Sequence, residues 1–191
     1  MTVAESARPK AKVQRLWTYD EMVAELPETN QPVELWNGEI IMSPAPHPKH
    51  QDIVFNFAQR LKEFAVSGKL GKVYVSPVDV VLTQRRVVQP DVLFIAKNRL
   101  EIITDRIDGV PDLAMEVISV TSWQRDRIQK KALYEQFGLP EYWIIDPDSE
   151  TIEVFALIKG VFQLHNRAVG AQVAKSKLLA GFSLAFKELV G

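Results

Sequence analysis

The run Leu113-Ala114-Met115-Glu116-Val117-Ile118-Ser119-Val120 most constrains what this chain can fold into. It is apolar on both alternating faces, the mark of a central strand buried on two sides. A sheet holding such a strand needs apolar cover on each face.

The remaining patterns supply strands for that sheet and helices to cover it. Thr18 followed by Glu21 is a capping box, which predicts a short helix through Met22, Val23 and Leu26 ending near Pro27. Asn37-Gly38 separates Val33-Glu34-Leu35-Trp36 from Glu39-Ile40-Ile41-Met42, a strong hairpin signal. The Pro-rich link Ser43 to Pro48 cannot continue a strand. A helix is expected to begin near Pro48 to His50, because Ile53, Val54, Phe57, Ala58, Leu61, Phe64 and Ala65 recur at helical spacing, with Gly68 as its stop. Short β-prone runs follow at Lys72 to Val75, Val78 to Leu82, Val87 to Val88 and Val92 to Ile95, with Gln84-Arg85-Arg86 as a hairpin tip. Beyond the central run, a helix is expected from about Trp123 to Phe137, closed by Gly138 and Pro140. Strands over Glu141 to Ile145, Thr151 to Ile158 and Val161 to His165 come next, and a last short amphipathic helix over Leu184 to Val190. This order predicts an α/β (α+β) fold, a mixed sheet with helices on it.

The 191 residues suit one domain. Residues 1–15 read as a flexible basic arm, with Arg8, Lys10, Lys12 and Arg15 against Glu5, and residues 16–191 as the domain itself. Cysteine is absent, which excludes disulfides, thiolate zinc sites, iron–sulfur clusters and cysteine nucleophiles. No run of about 18 apolar residues exists to span a membrane, and no apolar signal core opens the chain, so a cytoplasmic location is expected. With a formal net charge of −1, any contact with nucleic acid has to rest on local patches or on bound metal.

The chemistry is expected where polar groups interrupt apolar runs. Glu116 shares a face with Ala114 and Ile118, and a carboxylate buried there is costly unless paired or metal-bound. Asp91 follows Pro90 and opens the run Val92-Leu93-Phe94-Ile95. If the two strands are neighbours, both carboxylates can converge on one cation, and oxygen ligands favour Mg²⁺ or Mn²⁺ over zinc. Lys130 heads the core-facing stripe Leu133, Tyr134 and Phe137, where a solvated lysine does not belong. Asp126 lies one turn earlier on that face, whereas Lys131 is rotated by about 100° toward Arg127 and solvent. Taken singly, each has a plain alternative: a turn aspartate, an acid paired with a lysine, a lysine snorkelling past the core edge. Together they match metal-assisted attack of water on a phosphodiester.

These segments also resemble a known family. Val33-Glu34-Leu35-Trp36-Asn37-Gly38-Glu39, His50-Gln51, Gln89-Pro90-Asp91-Val92, Pro111 through Ser119, Asp126 through Tyr134, and Gly138 through Pro147 carry the likeness. The chain resembles, over roughly residues 16 to 190, the Uma2-like family of proposed restriction endonucleases. That family was formerly the domain of unknown function DUF820 and is a branch of the PD-(D/E)XK nuclease superfamily. The resemblance implies a restriction-endonuclease-like mixed β-sheet core flanked by helices. It implies a Mg²⁺-dependent endodeoxyribonuclease in which Asp91 and Glu116 bind metal and Lys130 completes the catalytic set. The superfamily usually places a lysine two residues after the glutamate, where this chain has Ile118. The family moves the lysine to the following helix, and Lys130 fits that slot.

Glu34 and His50 are auxiliary candidates. Glu34 resembles the family's early acid, which can hold a second metal or anchor the site, but reads equally well as a surface strand glutamate; His50 at a helix start can contact phosphate or water, although a lone histidine is more often structural. Arg85, Arg86, Arg125, Arg127 and Lys131 are weaker candidates for DNA contact, since solvated surface is the default for such residues. Three functions compete: a metal-dependent DNA endonuclease, a catalytically silent nuclease-fold module that binds DNA or assembles, and a structural domain whose acids and lysine form a buried ion network. A homodimer suits a nuclease that cuts both strands, although no residue specifies it.

Overall fold

A computed structural model describes residues 15–27, 29, 31–118 and 125–190, apart from the side chains of Arg125 and Asp126. The elements, in chain order, are α1 (Tyr19–Glu25), β1 (Val33–Trp36), β2 (Glu39–Met42), α2 (Pro48–Ser67), β3 (Gly71–Val75), β4 (Val80–Thr83), β5 (Arg86–Val88) and β6 (Val92–Ala96). They continue with β7 (Ile107–Asp108), β8 (Leu113–Val117), α3 (Lys131–Phe137), β9 (Glu141–Asp146), β10 (Thr151–Ile158), β11 (Val161–Val169), β12 (Val173–Lys175) and β13 (Ser183–Ala185). A π-wound turn, Arg125–Lys130, runs directly into α3.

The strands fall into two main sheets rather than one. The larger has the order β11-β10-β9-β8-β6-β3, and the smaller β2-β1-β5-β4-β7. In the larger sheet β8 runs parallel to β9 and antiparallel to β6, so it is mixed as expected. All five residues of β8 are buried. On one face of the sheet Leu113, Met115 and Val117 pack against Ile53, Val54, Phe57 and Leu61 of α2. On the other, Ala114 and Ile118 pack against Leu133 and Tyr134 of α3 and against Val80, Val88 and Ile107 of the smaller sheet. The doubly apolar strand is thus explained by its two covers, one of them α2 with the C-terminal β12–β13 segment, the other a helix plus a second sheet. Each large side chain withdrawn from water this way contributes about 1.5–3 kcal/mol.

Local signals hold well. Thr18 and Glu21 form both halves of the capping box at the start of α1. Asn37 and Gly38 take φ of 55° and 87°, the pair of positive values that a tight two-residue hairpin requires. A side chain at Gly38 would also meet the Trp17 carbonyl at 2.9 Å. Gly138 closes α3 in the left-handed region at φ 80°.

Other expectations need correction. Leu184 to Val190 does not form a helix: Ser183–Ala185 is β13, paired with β12, and only Phe186–Glu188 winds, as a 3-10 turn. Phe182, Leu184 and Phe186 are all buried, an alternation of period two, so the segment buries a strand face. The 3-10 segment Lys97–Ile102 and the strands β7 and β12 carry too few residues for a periodic signal. Strand β11 runs on past His165 to Val169. Of the central run, residues 119 and 120 lie outside the described residues, as do Trp123 at the expected helix start and most of the basic arm. Arg15, the arm's last residue, is engaged with the fold: its guanidinium makes two 2.6 Å bonds to Glu25. No helix among the described residues is long and apolar enough to cross a membrane.

Candidate functional site

Neighbouring strands bring the first two candidates together. Strands β6 and β8 are antiparallel with Val92 opposite Met115, so the register continued by one residue sets Asp91 across from Glu116. Directly opposed residues of an antiparallel pair project from the same face. Asp91 stands at the mouth of this face and Glu116 deeper in it: the Asp91 side chain is 17% exposed, the Glu116 side chain 3%. Asp91 Oδ2 accepts a 2.8 Å hydrogen bond from the Val117 N–H, which fixes the carboxylate against the end of β8. His50, in the first turn of α2, brings Nε2 to 3.3 Å from the same oxygen.

Lys130 completes the cluster from above. Its Nζ lies 2.8 Å from Glu116 Oε1 and 3.0 Å from Glu34 Oε1, and its side chain is only 5% exposed. The inward stripe of the helix therefore delivers the lysine to Glu116, although the turn carrying it is π-wound. Tyr134, one turn on, donates its hydroxyl to Glu116 Oε1 at 3.1 Å. Burying an ammonium at this depth requires opposite charge close by, and two carboxylates supply it.

Glu34 is no surface glutamate. It is buried on β1, and it accepts from the Gln89 N–H at 2.9 Å and from the Trp36 indole at 3.1 Å besides facing Lys130. Burial pushes its carboxyl up, but the Lys130 ammonium and these two donors outweigh that and hold it below the ordinary carboxylate range. With its oxygens committed to these partners, Glu34 serves as a counter-charge for Lys130.

The cationic candidates are more scattered. Arg127 donates to Glu153 at 2.6 Å, and Lys131 lies 4.1 Å from the centre of the Phe155 ring, so both lean onto β10. Arg86 lies over Trp36, 5.9 Å from the ring centre, and that ring in turn bonds Glu34. Arg85 is exposed at the β4–β5 turn. The side chains of Arg125 and Asp126 lie outside the described residues. Tyr142 and Trp143 are fully buried packing residues, as their strand position suggested.

Several members of the site escaped the sequence reading. Gln89 stands before Pro90-Asp91, Trp36 ends the first hairpin run, and Tyr134 belongs to the apolar stripe, none of them marked as a site residue. The only available signal was position: Tyr134 lies four residues after Lys130 on the face that points inward.

Among the described residues no three or more histidine and acidic side chains converge as a ready-made metal cage. Magnesium does not need one, because it commonly takes one or two carboxylates and fills its shell with water and substrate oxygens. Asp91 fits that use: both contacts above fall on Oδ2, and among the described residues no hydrogen bond falls on Oδ1.

A family model, Uma2, described as putative restriction endonuclease, matches residues 19–187. A crystal structure of a putative nuclease belonging to DUF820 from Anabaena variabilis ATCC 29413 is similar to this chain, with a TM-score of 0.74 and 20% identity over 91% of this chain and 97% of that one. At that identity the likeness is one of fold. No curated protein matches the chain.

Proposed function

Because this chain belongs to the Uma2 family, we propose that it is a metal-dependent endonuclease that hydrolyses DNA phosphodiester bonds. Asp91 and Glu116 hold Mg²⁺ or Mn²⁺, and Lys130 assists the water nucleophile. The observation that carries the proposal is the Lys130 ammonium, 2.8 Å from a strand carboxylate whose antiparallel neighbour is Asp91. The usual lysine position on the strand, Ile118, is apolar and buried, yet a lysine reaches the same carboxylate by another route.

When bound, the ion supplies Lewis acidity toward a phosphoryl oxygen and lowers the pKa of a coordinated water. The chain's own residues do the rest. Val117 N–H and His50 orient the Asp91 carboxylate and leave Oδ1 for a cation. Tyr134 holds Glu116 Oε1 while Glu34 retains the ammonium in a setting of low dielectric, where it acts strongly on the negative charge that grows on phosphate in the transition state. DNA backbone contact falls to Arg85 and Arg86 at the β4–β5 turn, with Arg127 on the π-wound turn and Lys131 at the start of α3.

One observation favours a second reading, a catalytically silent nuclease-fold module. Lys130 already pairs with Glu116 and Glu34 without any metal, as in a structural ion network.

Calorimetric titration with Mn²⁺, first alone and then with a short DNA duplex, tests the proposal, with Asp91→Ala as the control. Saturable binding lost in D91A is expected. Glu116→Ala is expected to lose metal binding and cleavage, and Lys130→Ala to lose cleavage but keep the metal. Binding without turnover on any duplex leaves the silent module; no Mn²⁺ binding even with duplex refutes the metal-dependent reading.

A further inference from the structure

Asp79 and Gln89 have no part in the proposal above. They stand where the chain changes sheets. Strand β5 ends at Val88 in the smaller sheet and β6 begins at Val92 in the larger, so Gln89-Pro90 is the crossing. Glu34 belongs to the first sheet, Asp91 and Glu116 to the second. The alignment of the candidate site therefore depends on how this crossing is held.

Pro90 has no N–H with which to tie it down. Gln89 does so at two points. Its backbone N–H donates to Glu34 Oε1 at 2.9 Å, and its side-chain Nε2 donates to Asp79 Oδ1 at 2.7 Å. The other Asp79 oxygen accepts from the Tyr19 hydroxyl at 3.1 Å, and the Asp79 carbonyl accepts from Ile107 N–H at 2.9 Å. The Val80–Val88 pairing continued by one residue sets Asp79 across from Gln89, so the contact grows out of the β4–β5 ladder. Turning the Gln89 amide over would point its oxygen at a carboxylate, so the nitrogen must face Asp79. In that orientation Gln89 Oε1 is buried and has no hydrogen-bond partner among the described residues. The amide is thus oriented by its bond to Asp79.

We infer that Asp79 is a positioning residue, which through Gln89 keeps Glu34 and Asp91 aligned across the two sheets. The inference rests on the nuclease reading for its consequence, a change in metal affinity, but its structural part is measured separately.

The experiment compares Asp79→Ala, Gln89→Ala, the double variant and the conservative Asp79→Asn, which keeps an acceptor for the glutamine. Two quantities are read: Mn²⁺ affinity by calorimetry in the presence of duplex, and hydrogen exchange at the residue 89 amide. D79A and Q89A are each expected to weaken Mn²⁺ about 10–100-fold, as loss of an outer partner does. The double variant should lose no more than either alone, and D79N should restore the affinity. The residue 89 amide should exchange faster in D79A and Q89A while the amides of α2 keep their protection. Wild-type affinity and unchanged amide exchange in D79A would overturn the inference and leave the nuclease reading standing. If the wild-type protein binds no Mn²⁺ the nuclease reading fails, and the exchange data alone decide whether Asp79 holds the crossing. Should D79A unfold as a whole, Q89A, which keeps the backbone N–H, carries both readouts.

Discussion

Replacing Lys130 by methionine keeps most of the stem and removes the ammonium. Lys130 Nζ stands 3.0 Å from Glu34 and 2.8 Å from Glu116, and none of the three side chains is more than 5% exposed. The variant loses the ammonium that faces both buried carboxylates, and the less costly course is for one of them to take up a proton. Glu34 keeps the Gln89 N–H and the Trp36 indole as donors and can stay ionised, so a single proton is enough. Holding a glutamic acid neutral at pH 7, against an unperturbed value near 4.3, costs about 1.36 × (7.0 − 4.3), or about 3.7 kcal/mol. That falls within the roughly 3–5 kcal/mol typical of breaking a buried ion pair. At pH 5 the same arithmetic leaves about 1 kcal/mol.

The pH dependence separates this mechanism from a simple packing defect. In K130M the folded state binds a proton that the unfolded chain releases, so the variant's stability falls as pH rises from 5 to 7. In the wild-type protein Glu34 is held below its ordinary range. Its contribution is complete above that range and is lost only as pH falls through the depressed value, so between pH 5 and 7 this group leaves wild-type stability flat. Urea unfolding followed by tryptophan fluorescence at pH 5, 6 and 7 reads both curves. The expected deficit of K130M shrinks from about 3.7 to about 1 kcal/mol on going from pH 7 to pH 5. Adding Glu116→Gln to K130M should recover most of the loss at pH 7. A deficit under about 1 kcal/mol at pH 7, or one of equal size at both ends of the range, would refute the charge argument.

Tyr134→Phe removes a hydroxyl donated to a buried carboxylate, and urea unfolding should show a loss of about 1.5–3 kcal/mol. A Cβ at Gly71 would run into the Ile95 carbonyl and the Phe94 ring. Gly71→Ala should therefore destabilise by about 1–3 kcal/mol or more in thermal melts, where an open site would tolerate alanine. If DNA runs past Trp36, Arg86→Ala should flatten the dependence of log affinity on log salt by about 0.9 for one lost phosphate contact. Arg127→Ala should flatten it less, because that guanidinium is already engaged by Glu153 at 2.6 Å. Equal slopes for wild type and R86A would remove Arg86 from the interface.

Much of this fold can be read locally. The capping box at Thr18, the Asn37-Gly38 turn, the α2 stripe ending at Gly68 and the glycine stop at Gly138 depend on neighbours within a few residues, and each appears where the pattern puts it. The division into two sheets is not legible in that way. It depends on where the chain leaves one ladder for another, and Gln89-Pro90 gives only a break in pattern, without a destination. The C-terminal segment departs from its expected helix because Leu184, Phe186 and Leu189 fit either period over so few residues, and pairing with β12 decides the matter. For the site, Asp91, Glu116 and Lys130 stood out as polar groups in apolar surroundings. Glu34 was ambiguous, since alternation along a four-residue strand cannot reveal that a lysine nearly a hundred residues away will face it.

That pairing bears on why a lysine can leave the strand. A lysine at position 118 would share a face with Glu116, and its ammonium could turn toward the open end of the sheet, where water covers part of its charge. At that position Ile118 is buried against Leu133 and Tyr134 instead, which lets α3 pack closely over the sheet. The cation then arrives from the helix, at a depth where one carboxylate provides little compensation if it must also serve a metal. Glu34, from a different sheet, supplies a second acid 3.0 Å from the ammonium. On this argument Glu34 and Lys130 form a unit, and Glu34→Gln should reduce stability at pH 7 even with Glu116 intact. It should also shift the acid-unfolding profile, because the carboxyl whose contribution is lost at low pH is no longer there. An E34Q protein with wild-type stability and an unchanged acid limb would mean that the buried ammonium does not depend on Glu34.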